Sequence, residues 1–226
     1  MARSLKKLIA AVFCLVLLFE LSSCAVNTKS AEQTGFSMGS LVGIKLYGKN
    51  SEALGNANLL AEVVKTDERI SKNYEGSDIY RVNSSGEHGE TASSKTYDEL
   101  RTVCDVYSDS HGKAAVLSGA LTELWGFDTD EFRLPSEDEI LSAKEKCGDD
   151  KLIFDDGKKV YIPDGAKLNL GSAGKGIALD EAVKRIDEIN SQGGKITGAV
   201  ISVGGSVATY GLPKKGKSWN VGIRDP

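Results

Sequence analysis

Asn169-Leu-Gly-Ser-Ala-Gly-Lys-Gly-Ile-Ala-Leu-Asp180 is the stretch on which the reading of this chain turns. The apolar run Leu168–Leu170 reads as a short strand, and Gly176–Ile189 reads as an amphipathic helix. Between them lie three glycines, with Lys175 between the last two. Glycine lets a backbone pass close to a ligand and adopt positive φ, which a side chain forbids. A helix opening directly after such a loop offers unpaired N–H groups and the positive end of its dipole. That combination suits a phosphate. The spacing matches neither common nucleotide signature. Only Ser172 and Ala173 separate Gly171 from Gly174, which rules out a Walker loop, and G-x-G-x-x-G is absent. A strand–helix turn whose glycines serve only tight packing is the competing reading.

Outward from this loop, Leu41–Tyr47 alternates, with Val42, Ile44 and Leu46 on one face of a strand. Glu52 to about Arg69 repeats Leu59, Leu60, Val63 and Val64 at helical intervals. Thr96-Tyr-Asp-Glu99 has the spacing of a capping box and opens a helix striped with Leu100, Val103, Cys104 and Tyr107. Ser136-Glu-Asp-Glu139, after Pro135, reads as another helix start. Lys151–Asp155 and Lys158–Ile162 predict a hairpin turning at Asp156-Gly157. Ala199–Val203 is a buried-type strand that ends in Gly204-Gly205, and Trp219–Ile223 reads as a further strand. Strands joined by both hairpins and helices predict an α+β domain.

The ends carry a different message. Arg3, Lys6 and Lys7 precede an apolar run from Leu8 to Phe19, which is within the usual h-region length of roughly 7–15 residues. A spanning helix needs about 20 apolar residues, so this run is too short for one. It closes with Leu21-Ser-Ser-Cys24, which resembles the lipobox of bacterial lipoproteins. The resemblance implies a signal peptide over residues 1–23, a lipid on Cys24 and an extracytoplasmic, membrane-anchored protein. An ordinary signal peptide with an incidental cysteine is the alternative. The small polar residues up to Thr34 read as a tether, with the domain running over 35–226. Cys104 and Cys147 have no zinc spacing, and only His88 and His111 stand by to help them. Both read as free thiols, with a disulfide as the alternative. The chain has a formal charge of −4; residues 1–23 hold three basic residues and Glu20, which leaves −6. That balance gives no support to nucleic-acid binding.

The ordered motifs resemble the FAD:protein FMN transferases, the ApbE family. Phe36-Ser-Met-Gly-Ser40 stands where that family has Met-Gly-Thr, and Ser77-Asp-Ile-Tyr-Arg-Val-Asn83 resembles its Ser-Glu-Ile-x-x-x-Asn. Leu121-x-x-Leu-Trp-Gly-Phe127 with Pro135-Ser136 matches its Leu-Trp-Gly-Phe and Pro-Ser pair. Asn169 to Asp180 resembles its Asp-Leu-Gly-Gly-Ile-Ala-Lys-Gly-Tyr-Ala-x-Asp; Gly204-Gly205 and Trp219-x-Val-Gly-Ile223 complete the order. The resemblance implies an ApbE-like α+β fold with mixed or antiparallel sheets flanked by helices. It also implies a Mg²⁺-dependent enzyme that cuts FAD, passes FMN to a Thr or Ser hydroxyl of an acceptor protein and releases AMP. Extracytoplasmic respiratory flavoproteins are the family's usual acceptors. By the match, Met38, Tyr74, Gly171, Lys175 and Ile177 bind FAD, and the Gly174 carbonyl ligates Mg²⁺. Asp180 is polar support for the loop.

Two departures stand out. Gly112-Lys-Ala-Ala-Val-Leu117 replaces the family's Gly-Ala-Phe-Asp-x-Thr, so Ala114 and Ala115 take the place of a ring and a carboxylate. The family's later His-x-x-Asp-Pro-x-Thr-Gly and Asp-x-x-x-Thr, the second a magnesium-ligating pair, do not occur in the 226 residues, so the expectation is a C-terminally truncated domain. Two other functions remain open at this level: FAD hydrolysis to FMN and AMP, and flavin binding by a non-catalytic lipoprotein.

Overall fold

The computed structural model describes residues 28–127, 129, 131–213 and 217–223; the signal segment and Cys24 lie outside the described residues. β1 (Lys29–Ser37) pairs along its whole length with β2 (Ser40–Gly48). Residues 29–34, expected as tether, are therefore strand. An edge strand is held by its backbone ladder, and β1 places only Ala31 against the main core, so its side chains carry little pattern. On β2 the alternation holds, with Val42, Ile44 and Leu46 buried.

The helical run that follows is broken. α1 (Ser51–Asn56) and α2 (Leu59–Ile70) meet at Asn58, whose φ of 39° is left-handed. Next come α3 (Asp78–Ser85), β3 (Glu90–Thr91), α4 (Ser94–Asp109), α5 (Gly119–Leu124) and α6 (Glu137–Glu145). β4 (Ile153–Phe154) and β5 (Lys159–Tyr161) form the expected hairpin and, with β3, a small sheet ordered β3-β5-β4. α7 (Gly174–Ser191), β6 (Ile196–Val203) and β7 (Ser206–Gly211) follow, and the main sheet is antiparallel in the order β1-β2-β6-β7. The architecture is α+β, as the mixture of hairpins and helices predicts.

Two cores result. Val42, Ile44, Leu46, Ile201 and Val203 of the main sheet pack on Leu59 and Val63 of α2 and on Ala178, Ala182 and Ile186 of α7. Ile79, Val82, Leu100, Leu117, Val160 and Leu168 form the second core. Each valine, leucine or isoleucine among them contributes about 1.5–3 kcal/mol by leaving water. Met38 packs against both cores, at the seam where the site forms.

Local capping signals hold at one helix start and give way at another. Ser136 and Glu139 make the reciprocal cap of α6 that their spacing predicts. At α4 the same spacing misleads. Ser93 is the cap there and accepts the Thr96 N–H, while Glu99 turns to the Arg69 guanidinium at 2.5 and 2.7 Å. A tertiary ion pair has taken the carboxylate that the local motif would use. Leu168–Leu170 is not a strand; it leads into a 3₁₀ turn, Leu170–Ser172. Trp219–Ile223 is likewise not a strand: the Trp219 ring lies 5.9 Å from that of Tyr47, and its Nε1 donates to the Gly211 carbonyl at 2.8 Å. Cys104 and Cys147 are free thiols, and burial pushes Cys104 up to about 11.

Two buried carboxylates make the fold acid-sensitive. Asp78 accepts from Ser93 N–H, Ser93 Oγ and Thr96 Oγ1, which ties α3 to the start of α4. Burial alone would raise its pKa, but the bonds from Ser93 and Thr96, with Arg81 nearby, hold it below the ordinary 3.8. Burial also works to raise Glu181 and is outweighed by Lys95 and Lys184, which hold it below 4.5. Both groups bind protons less readily folded than unfolded. Their stabilisation is present above the ordinary values and is lost as pH falls through the folded ones. Urea unfolding should therefore show stability dropping below about pH 4, and Asp78→Asn should reduce that slope. An unchanged slope in the variant would refute the assignment to Asp78.

Candidate functional site

The β1–β2 hairpin turns at Met38 and Gly39, with φ of 53° and 62°. Two positive φ values suit the twist of a two-residue hairpin, but asparagine or glycine normally supplies them. Methionine there is strained, and α2 holds it in place: Asp67 Oδ2 accepts the Met38 N–H at 2.6 Å and the Ser37 hydroxyl at 2.9 Å. The Met38 side chain thereby reaches a cleft of about 160 Å³ together with Asp67, Asn73, Asn169, Gly171, Gly174 and Lys175.

The glycine loop forms the opposite wall. Asn169 Oδ1 accepts the Gly171 N–H at 2.9 Å, and α7 then begins at Gly174 without a side-chain cap. No acidic residue occupies its first turn, so the N-terminal N–H groups and the dipole are left for a ligand. Gly174 is buried, and a Cβ there would lie 3.3 Å from Ile70 Cδ1, so close packing is one use of this glycine. At Gly176 a Cβ would meet nothing within 4 Å. Gly176 is exposed and does not line the cleft, so packing explains Gly174 but not Gly176.

The turn between β6 and β7 joins the same site. Gly204 has a φ of 59°, and a Cβ on it would lie 2.9 Å from Ser40 Oγ and 3.1 Å from Lys175 Nζ. Lys175 has no ion-pair or hydrogen-bond partner among the described residues. An unpaired ammonium, an uncapped helix start and bare glycine backbone are features that suit an anion.

Met38, Gly171, Gly174 and Lys175 come together as expected. Tyr74 and Ile177 do not. Tyr74 is 54% exposed, next to the cleft residue Asn73 but not on the cleft itself. Ile177 lines a separate groove between α4 and α7, with Asp98, Asp180 and Glu181. Ala114 and Ala115 are not among the residues that line the cleft. Among the described residues no three His, Cys, Asp or Glu side chains gather as a metal site. A hard cation takes six or more oxygens. Beyond the Gly174 carbonyl and the single cleft carboxylate, Asp67, the described residues do not make a magnesium cage.

Sequence reading missed the residues that position the loop. Asn83 clamps Leu168, donating to its carbonyl at 2.9 Å and accepting its N–H at 2.7 Å. Lys167 Nζ adds a bond to the Asn83 carbonyl at 2.9 Å. Asn83 closes the Ser77–Asn83 motif, but its partner lies 85 positions away and leaves no local signal. Asn83→Ala should cost about 1–3 kcal/mol in urea unfolding, because the buried Leu168 backbone loses both partners. Asn83→Asp keeps only the acceptor and should fall between.

Comparison with known proteins gives these features a context. The model of the ApbE family matches residues 38–226. The FAD:protein FMN transferase of Haemophilus influenzae is 21% identical, over 98% of this chain and 66% of its own length. That of Klebsiella pneumoniae is 27% identical, over 85% of this chain and 56% of its own. The chain thus spans 56 to 66% of the length of these curated relatives. The crystal structure of the ApbE protein of Thermotoga maritima superposes with a TM-score of 0.77 at 27% identity, covering 87% of this chain and 64% of that one. The apo flavinyl transferase ApbE of Pseudomonas stutzeri, at 23% identity and a TM-score of 0.70, covers 87% and 63% and shares the fold.

Proposed function

The chain belongs to the ApbE family, and from that membership we propose that it acts as an FAD:protein FMN transferase. The observation that carries the reading is that Lys175 and the uncapped start of α7 line one small cleft, with the Gly204 turn beside Lys175 Nζ. At about 160 Å³ the cleft is smaller than the roughly 300–1,000 Å³ that encloses a whole drug-sized ligand. It fits the pyrophosphate of FAD, with the flavin and adenosine extending outward.

Phosphoryl transfer needs positioning and charge neutralisation more than covalent help from the protein. The α7 N–H groups and Lys175 hold the pyrophosphate oxygens, and Met38 offers an apolar thioether beside them. The acceptor hydroxyl oxygen bonds to the FMN phosphorus, the bond from that phosphorus to the AMP oxygen breaks, and AMP departs as the hydroxyl proton is released. Magnesium belongs to this proposal through the family resemblance, with Gly174 as its backbone ligand. The described residues do not complete its coordination, so the steps above rest on the chain's own groups.

The acceptor is an extracytoplasmic flavoprotein, and the enzyme is held at the membrane by lipid on Cys24. The test is to incubate the full chain with FAD and a candidate acceptor, then measure AMP and flavin fluorescence that survives denaturation of the acceptor. Labelled acceptor with AMP in equal amount supports transfer. FMN and AMP without acceptor labelling would make the protein a hydrolase, and bound flavin without AMP would make it a binding protein.

A further inference from the structure

The end of the main sheet farthest from the cleft is basic in an acidic chain. Lys29 opens β1, Lys49 follows β2 and Lys195 precedes β6, so antiparallel pairing brings three lysines to one edge of the molecule. Lys29 stands opposite Gly48 in the ladder, and the Lys49 N–H donates to the Lys195 carbonyl at 3.2 Å. All three are exposed around a groove of about 460 Å³ whose other lining residues are Asn50, Ser51 and Glu52. Lys29 Nζ donates to Ser51 Oγ at 2.5 Å. Lys49 and Lys195 have no ion pair among the described residues, whereas Lys45, Lys65 and Lys184 each have a glutamate. With Glu52 counted, the residues lining this groove carry a charge of +2.

We propose that this lysine end docks on anionic phospholipid headgroups and so orients the domain on the membrane. The proposal rests on the reading of Cys24 as the lipid anchor. Cys24 is five residues before Lys29, a span of at most about 17 Å, so a lipid there keeps this end of the sheet at the bilayer surface. The Met38 and Gly204 turns lie at the opposite end of the same strands, about 27 Å away along β1. The cleft therefore faces away from the bilayer, open to an acceptor. The charge of −6 on the chain from Cys24 onward acts weakly on this contact, because charges beyond a Debye length of about 8 Å are screened. Each lysine near an anionic surface favours contact about fivefold, so a local +2 favours it on the order of 25-fold.

The test uses the full chain reconstituted into vesicles of phosphatidylcholine alone, or of equal parts phosphatidylcholine and phosphatidylglycerol. A water-soluble acetylating reagent modifies exposed amines, and mass spectrometry reads Lys29, Lys49 and Lys195 against Lys65. The expected result is protection of the three lysines, by about tenfold or more, only on the anionic vesicles, and its loss at high salt. Equal rates on both vesicles, with lipid found on Cys24 in the same digest, overturn the docking. If Cys24 carries no lipid, the anchor reading fails, and the charge-reversed pair Lys49→Glu and Lys195→Glu decides the rest. Salt-sensitive flotation of the parent with anionic vesicles that the variant loses supports the lysine end, and equal flotation overturns it.

Discussion

Replacing Lys175 by alanine is expected to weaken FAD binding about 10- to 100-fold while leaving the protein slightly more stable. The two effects have separate causes. Lys175 is the second residue of α7, where a positive charge meets the positive end of the helix dipole, and no acidic side chain in that turn offsets it. Removing that charge should stabilise the helix by about 0.3–1 kcal/mol. It also has no protein partner among the described residues, so the substitution breaks no internal bond. A charged hydrogen bond to a phosphate, by contrast, is worth about 1.5–3 kcal/mol. Fluorescence titration with FAD at low and high salt, beside thermal unfolding, reads both quantities. Unchanged affinity in the variant would make Lys175 a solvated residue of the helix start and remove it from the proposed anion site, whose lining also includes Lys72.

Asp149→Ala should be the most damaging single change to the fold, at about 3–5 kcal/mol. The side chain is 2% exposed, and both carboxylate oxygens accept the Val116 N–H at 3.0 Å, one of them also taking the Leu117 N–H at 2.7 Å. Alanine leaves those two buried donors unpaired. The loss reaches the cleft as well, because the Val116 carbonyl accepts the Asn169 N–H at 2.7 Å and Asn169 shapes the glycine loop. Burial raises the Asp149 pKa above its ordinary 3.8 despite the pull of those N–H groups. The protein therefore gains from the acceptor oxygens rather than from the charge. Asp149→Asn keeps an acceptor without burying a charge, so it should cost less than half as much in urea unfolding. Equal losses for both variants would refute that division.

The site was legible in the sequence where chemistry and backbone conformation coincide. Gly171, Gly174 and Lys175 were readable as a candidate phosphate loop, with tight packing as the rival reading, and Met38 was placed by the family resemblance of its motif. Tyr74 and Ile177 were placed by analogy of motif, and the geometry does not carry them into the cleft. Asp67 went unnoticed, and Asn83 stood in a quoted motif without a role, because each works on backbone far away in the chain. Asp67 restrains a strained turn about 30 positions earlier, and Asn83 a segment 85 positions later.

Taken by itself, the sequence determined the α+β class, the buried faces of β2 and β6, the helix cap at Ser136 and the candidate phosphate loop. Each depends on periodicity, spacing or glycine, which are properties of neighbouring residues. Tertiary structure alone decided that residues 29–34 pair as an edge strand and that Glu99 abandons a cap for Arg69. It also decided that the Gly204 turn stands beside Lys175 and that three lysines meet at the far end of the sheet. Those outcomes depend on which backbone groups and charges meet across the fold. A side chain with two possible partners goes to the one that leaves fewer buried groups unpaired, and only the folded chain sets that choice.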